Sequence, residues 1–275
     1  MLHERLNADM IDIHSHTKFS ADGRDTAQDM AAAAFTAGCK IFGFSEHVDM
    51  DYYVSGLDFV QTDLDAYLSC AHALKVEYAG RGVTLLAGAE FGYHSDAQDE
   101  YVRLTNKYSF DYCINSVHLT DGKDCYLQPY FEGKDKQFAY RRYLETVLES
   151  LNVKYDYHIV GHLGYVARNA PYPDQLLRYS DFPALIDKIL DTVIKEQKVL
   201  EVNTNVKTAG TPVMPSYEIL ARYYELGGRL ISYGSDAHNV GRILEGFGQV
   251  SANLKKIGFE NLSYFEKGNA KFIKL

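Results

Sequence analysis

The sequence predicts an α/β barrel built on a parallel sheet, and three observations carry that expectation. Short apolar runs alternate with longer amphipathic ones along the 275 residues, and strands that alternate with helices pair in parallel because each helix returns the chain to the same end of the sheet. Seven such strand candidates follow one another, which favours closure into a barrel over an open parallel sheet, the competing architecture. Six of the ten histidines fall at or just beyond the carboxyl ends of those candidates, the face on which barrel enzymes build their sites.

The strand candidates occupy residues 10–14, 41–45, 83–91, 112–117, 157–161, 199–204 and 229–234. Each is a short apolar run of strand length, from Met10-Ile11-Asp12-Ile13-His14 to the Leu230-Ile231-Ser232-Tyr233 stretch. Amphipathic helical patterns fill 26–37, 63–78, 136–151, 182–196, 216–226 and 240–255. No Pro/Ser-rich linker, low-complexity tract or internal repeat interrupts them, so residues 1–275 are expected to form a single domain. A chain that is 46% hydrophobic can bury a core of that size.

A net charge of −9 excludes the phosphate backbone of a nucleic acid as the expected partner, since that recognition needs clustered Lys and Arg. A small anionic substrate remains compatible with it if metal ions supply local positive charge. Cys39, Cys70, Cys113 and Cys125 show no C-x-x-C spacing and are expected to be reduced thiols of a cytoplasmic protein. The opening residues 1–6 lack the apolar core of a signal peptide, and no apolar stretch approaches a membrane span, so no membrane partner is expected. Nothing in the pattern specifies an oligomeric state. The 22 tyrosines, with no tryptophan, are read mainly as cover for hydrophobic surface.

Asp12-Ile13-His14-Ser15-His16 puts two imidazoles on one side of an extended backbone, because residues i and i+2 of a strand share a face. The other strand ends add Glu46 and His47, Glu90, His118, His162, and Asp236 with His238. His/Asp/Glu sets without cysteine suit Zn²⁺, Mn²⁺ or Fe²⁺ in an open catalytic site. Eight or nine ligands are too many for one ion, and a carboxylate such as Glu90 can bridge two, so two or three divalent ions are expected. His3, His72, His94 and His158 lie away from strand ends and are read as ordinary surface or core histidines.

These motifs together resemble the PHP (polymerase and histidinol phosphatase) superfamily, within it the histidinol-phosphatase branch. The resemblance runs through Asp12 to Asp22, then Phe44-Ser45-Glu46-His47-Val48-Asp49, Gly88-Ala89-Glu90, Ser116-Val117-His118, Tyr130-Phe131-Glu132-Gly133-Lys134, Gly161-His162-Leu163, Glu201-Val202-Asn203-Thr204 and Gly234-Ser235-Asp236-Ala237-His238. D-x-H-x-H alone would also fit amidohydrolases, but Glu90 stands where those carry a Lys-type bridge. The resemblance implies a distorted (β/α)7 TIM-like barrel with a trinuclear metal cluster at the carboxyl ends of its strands. It implies a first ion on His14, His16, Glu90 and Asp236, a second on Glu90, His118 and His162, and a third on Asp22, His47 and His238.

The implied activity is hydrolysis of L-histidinol phosphate to L-histidinol and phosphate by a water activated between metals, a step of histidine biosynthesis. Another small phosphomonoester or phosphotyrosine is the alternative substrate, and a noncatalytic PHP module the alternative class. Glu90, Asp236 and Arg168 are the catalytic candidates. Arg168 is expected to clamp phosphate, because guanidinium pairs with it bidentately, and Tyr165 and Lys18 are further candidates for substrate contact. Two departures stand out: Glu46 replaces the Asp common before the second-motif histidine, and Gly164 stands where an acidic residue is common. Glu46 is expected to orient the His47 ring, and Asp12 to support a ligand histidine.

Overall fold

The computed structural model describes residues 9–50 and 61–275; the opening segment, with His3, lies outside the described residues. In chain order the strands are β1 (Met10–Asp12), β2 (Cys39–Val48), β3 (Thr84–Gly92), β4 (Cys113–Ser116), β5 (Leu119–Thr120), β6 (Lys123–Asp124), β7 (Ile159–Val160), β8 (Val199–Asn203), β9 (Ile231–Gly234), β10 (Asn261–Glu266) and β11 (Asn269–Lys274). Seven of them form one sheet in the order β1-β2-β3-β4-β7-β8-β9, and every pair in it is parallel. The small hairpin β5-β6 follows β4, and the antiparallel pair β10-β11 ends the chain.

The sheet nearly closes on itself. At the seam between β1 and β9, the Ile13 N–H donates to the Tyr233 carbonyl at 3.1 Å and the His16 N–H to the Ala237 carbonyl at 2.8 Å. Asp12 ties the same seam: one carboxylate oxygen accepts the Ser235 N–H and the other the Leu244 N–H, each at 2.9 Å. Burial pushes this carboxyl up to about 6, with the bonds from Ser235 and Leu244 pulling against it. Asp12 was expected to support a ligand histidine; its carboxylate meets the His14 backbone N–H rather than a ring, and the same side chain closes the barrel through Ser235 and Leu244.

The helices are α1 (Ala27–Thr36), α2 (Leu64–Tyr78), α3 (Gln98–Lys107), α4 (Gln128–Phe131), α5 (Lys136–Ser150), α6 (Pro183–Lys195), α7 (Tyr217–Glu225) and α8 (Phe247–Ile257). Side chains start several of them: Thr26 accepts from the Asp29 N–H, Asp63 from Ala66 and Asp135 from Phe138, satisfying donors that the first turn leaves free. Pro183 opens α6, where its missing N–H costs nothing. The helix expected over 240–255 is broken. A 3₁₀ turn at Val240–Arg242 comes first, Leu244 and Gly246 adopt left-handed conformations (φ 58° and 73°), and α8 begins only at Phe247. The Asp12 carboxylate claims the Leu244 N–H, so the seam competes with the helix and wins.

The hairpin β5-β6 and the short α4, both between β4 and α5, were not expected, nor were α3, which buries only Tyr101 and offers no apolar stripe to read, and β10-β11, which lies beyond the barrel repeat. Conversely, the run expected at 157–161 contributes only Ile159–Val160 to the sheet, and β2 extends to Val48, placing His47 inside the strand.

Tyrosines fill much of the interior: Tyr67, Tyr101, Tyr112, Tyr130, Tyr140, Tyr143, Tyr223 and Tyr233 are fully buried. Tyr112 crosses the barrel, its hydroxyl donating to the Ile13 carbonyl at 2.7 Å and the Phe44 carbonyl at 2.9 Å. That crossing requires glycine on two neighbouring strands, because a Cβ at Gly43 would lie 2.2 Å from the Tyr112 hydroxyl oxygen and one at Gly88 2.3 Å from its ring. Gly88→Ala is thus expected to destabilise the fold by overpacking, by about 1–3 kcal/mol, read as a lower denaturant midpoint. In a Gly88→Ala/Tyr112→Ala double variant the cost should fall short of the sum of the single costs, since both act on one contact. Simple additivity would refute the contact.

Candidate metal centre

Parallel strands of a barrel end on one face, and there the expected ligands meet. His14 and His16 lie just past β1, Glu46 and His47 near the end of β2, Glu90 near the end of β3, His118 past β4, His162 past β7, and Asp236 and His238 past β9. All are buried except His238, which is partly so.

Glu90 stands at the middle. Its Oε2 is 3.5 Å from both His14 Nε2 and His16 Nε2, which are themselves 3.1 Å apart, and Asp236 Oδ1 lies 3.4 Å from the His16 nitrogen. Its Oε1 is 2.8 Å from His162 Nε2 and 3.3 Å from His118 Nε2, with 3.4 Å between those two nitrogens. A third group surrounds Asp22, whose oxygens lie 2.9 Å from His238 Nε2 and 3.6 Å from His47 Nε2. The His16 ring stacks between those of His47 and His238, with centroids 4.1 and 4.4 Å away. Asp22 is half-exposed and belongs to the loop after β1, where sequence spacing alone would have read a turn residue.

The donor set fits divalent cations. Glu90 Oε2 is buried and accepts no hydrogen bond although ring nitrogens surround it. Facing Nε2 pairs at 3.1 and 3.4 Å can share at most one proton each, whereas a cation engages every lone pair at once. His14, His16 and Asp236 form one compact ligand group, His47, Glu90 and His118 another, and His16, His47 and His238 a third.

Surrounding residues hold these rings in place. His14 Nδ1–H donates to Glu201 Oε1 at 2.5 Å, and Glu201 Oε2 accepts the His162 backbone N–H at 2.7 Å. Ser116 donates to Glu90 Oε1 at 2.7 Å. Asp236 adopts a left-handed backbone (φ 49°), and the Asn205 amide donates to both its carbonyl and its carboxylate at 3.1 Å. Asp49, whose carboxylate accepts from His118 Nδ1 at 2.9 Å, and Glu201 both bond ligand-histidine rings, roles that no spacing argument assigned them. Both sat inside recognisable motifs, which was the available signal.

Glu46 corrects an expectation. Its carboxylate accepts from the Thr17 N–H, the Thr17 hydroxyl at 2.7 Å and the Ser20 hydroxyl at 2.6 Å, so among the described contacts its hydrogen bonds go to the loop after β1, and His47 acts on it only through charge. Ser20 in turn accepts the His47 backbone N–H at 3.0 Å. The longer carboxylate thus organises the loop that carries His16 and Asp22. At the mouth, Arg168 Nη1 lies 3.4 Å from Asp236 Oδ2, and its guanidinium sits 5.6 and 5.8 Å from the Tyr126 and Tyr165 ring centres. Tyr165 also flanks the His118 and His162 rings at 5.3 and 5.0 Å. Lys18 is exposed, anchored by its backbone N–H to the Asp25 carbonyl, and its side chain joins none of these contacts. Gly164, where an acidic residue was the common choice, has φ 122°, a backbone that side chains strain.

Proximity sets the charges. Burial works to raise the Glu90 and Asp236 carboxyls, yet the surrounding cationic rings, His14 foremost, hold both well below the usual range. Burial opposes protonation of His118, but Asp49 and Glu90 push it up to about 10. His14 and His47 are raised for the same reason, by Glu201 and Glu90 and by Glu90 and Asp22 respectively, again against burial. His16 goes the other way, to about 3, through burial and the neighbouring His47 and His238.

A barrel with polynuclear ligand geometry at its strand ends is the class that fold and site define, and residues 12–205 match the PHP domain family model. The chain belongs to the PHP family. Its relatives include a probable histidinol-phosphatase of Clostridium acetobutylicum, 31% identical over 91% of this chain and 97% of the relative, and one of Thermotoga maritima, 32% identical over 92% and 95%. The crystal structure of histidinol phosphate phosphatase from Lactococcus lactis, complexed with zinc, L-histidinol and phosphate, superposes with a TM-score of 0.85 at 26% identity, covering 96% of this chain and 99% of that one.

The proton balance makes an outcome measurable. Metals bind deprotonated ligands, and raised histidines hold protons at neutral pH, so zinc loading of stripped protein is expected to release at least one proton per chain and to tighten as pH rises from 6 to about 8. Calorimetry in buffers of different ionisation enthalpy reads this directly. A binding enthalpy independent of buffer would contradict the assigned charges.

Proposed function

We propose that this chain is a metal-dependent phosphomonoesterase that hydrolyses L-histidinol phosphate to L-histidinol and phosphate. The observation that carries the reading is Glu90, one buried carboxylate whose two oxygens face separate sets of histidine nitrogens, Oε2 those of His14, His16 and His47 and Oε1 those of His118 and His162. The relatives at 29–32% identity over most of the chain are named as histidinol-phosphatases, which supplies the substrate.

His14, His16, Glu90 and Asp236 would hold a first ion, Glu90, His118 and His162 a second, and Asp22, His47 and His238 a third, with Zn²⁺, Mn²⁺ or Fe²⁺ suited to the donors. Bound there, such ions supply Lewis acidity toward phosphate oxygens and toward water. The protein's own groups do the rest. Glu90 and Asp236 stay ionised through their histidine neighbours and keep the ligand face acidic. Arg168, held near Tyr126 and Tyr165 with its tip at Asp236, would pair with equatorial phosphate oxygens, where charge must be offset during in-line displacement. The aromatic walls of Tyr126 and Tyr165 suit a flat organic leaving group beside it. No helix among the described residues is long and apolar enough to cross a membrane.

Comparing kcat/KM for histidinol phosphate, phosphotyrosine and nucleotide monophosphates on zinc-loaded protein tests the substrate. A preference for histidinol phosphate of at least about tenfold is expected, whereas a flat profile would leave phosphatase chemistry standing and remove the histidine step. Arg168→Ala should cut kcat/KM by about 100-fold, the usual scale for losing one charge-stabilising donor. Unchanged kcat and KM would take the clamp out of the account.

A further inference from the structure

We infer that Asp49 is a positioning residue that fixes the ring tautomers of two ligand histidines at once, so that the second and third metal positions depend on one side chain. The inference rests on the metal-holding reading of the site and is independent of the substrate. Asp49 is buried just past the end of β2, and its carboxylate faces ring nitrogens on the side away from the Nε2 ligand atoms. Oδ1 is 2.9 Å from His118 Nδ1, and Oδ2 is 3.3 Å from His47 Nδ1. Those histidines come from different strands and belong to different ligand groups, His118 with Glu90 and His162, His47 with Asp22 and His238.

The position is built for this. A Cβ at Gly92 would lie 1.6 Å from Asp49 Oδ1 and 3.2 Å from His118 Nδ1, so β3 needs glycine there to admit the pair. The backbone around Asp49 is pinned on both sides: the Met50 N–H donates to the Tyr101 hydroxyl at 3.0 Å, Tyr101 donates to the Gly92 carbonyl at 2.6 Å, and the Gln61 amide donates to the Asp49 carbonyl at 2.5 Å. Helix α3, which supplies Tyr101, thereby braces a metal-site residue.

The chemistry follows from donor counting. A neutral imidazole carries one proton, and a cation at Nε2 requires that proton to sit on Nδ1. A carboxylate is acceptor only, so Asp49 accepts the His118 Nδ1–H and, facing His47 Nδ1 at ion-pair distance, favours a proton on that nitrogen by its charge, which keeps both Nε2 lone pairs available. Glu90 Oε2 also lies 2.9 Å from His47 Nδ1, but Glu90 is needed as a metal ligand, and the Asp49 carboxylate stays beside that nitrogen when Glu90 turns to a cation. A carboxamide can accept from only one ring. In Asp49→Asn the stronger His118 bond keeps the oxygen, and the amide N–H₂ turned toward His47 drives its proton to Nε2, the atom facing Asp22 and His238.

The test reads metal rather than turnover. Stripped wild type, Asp49→Asn and Asp49→Ala are loaded with zinc, bound zinc is counted per chain, and affinities are measured by chelator competition, with far-UV CD confirming the fold. Asp49→Asn should lose one zinc position, its affinity falling about 10–100-fold; Asp49→Ala should weaken two, and the position on His14, His16 and Asp236 should keep its wild-type affinity in both. Ring ¹⁵N spectra of the loaded wild type should show His118 and His47 protonated at Nδ1, a signature that needs no variant to fold. Wild-type loading by Asp49→Asn, or either ring protonated at Nε2 in the loaded wild type, overturns the inference while leaving the metal site intact. A wild-type chain that binds no zinc overturns the site reading itself.

Discussion

The structure turns on a single constraint: a cluster of histidines and carboxylates is buried together, and Glu90 must face five imidazole nitrogens from the middle of it. Removing these groups from water is costly unless each is paired. The protein meets that cost with alternating signs. Glu90 and Asp236 lie among rings that hold a positive charge, while His16, packed between two other rings, stays neutral. The polar network outside the ligands serves the same end, with Glu201 on His14, Asp49 on His118, Ser116 on Glu90 and Asn205 on Asp236. A cluster so arranged is poised for cations, which explains why Glu90 Oε2 goes without a hydrogen bond in the heart of the molecule.

The barrel exists to bring these groups to one face. Its strands differ in length and its seam is narrow, yet the seam decides where the D-x-H-x-H run ends up. Asp12 bonds the β9 side, so His14 and His16 project beside Asp236 and His238 from the far end of the chain. Inside, Tyr112 spans from β1 to β2 over two glycines, a packing solution that also explains part of the tyrosine content. Most of the fully buried tyrosines serve the core, as expected from composition, while Tyr126 and Tyr165 form the wall of the site.

Seven strands and five of the six expected helices were legible because their apolar runs and amphipathic periods are strong. The exceptions have physical causes. The helix expected from Val240 fails in its first turns because Leu244 gives its N–H to Asp12, more than two hundred residues earlier in the chain. α3 escaped notice because a helix that buries one tyrosine has no apolar stripe. Glu46 was read as a partner of its neighbour in sequence, but adjacent residues of a strand point to opposite faces, and Glu46 turns instead toward Thr17 and Ser20.

The candidate ligand types, their order and their positions at strand ends were legible in the sequence alone, because residue chemistry and the two-residue period of a strand do not depend on distant contacts. So was the expectation of more than one ion. Only the tertiary structure decided which ring faces which carboxylate, that Asp12 closes the barrel, and that Asp49 and Glu201 stand behind the histidines. Those relations join strands remote in sequence, and local pattern carries no record of which side-chain atoms will meet when a sheet curls closed.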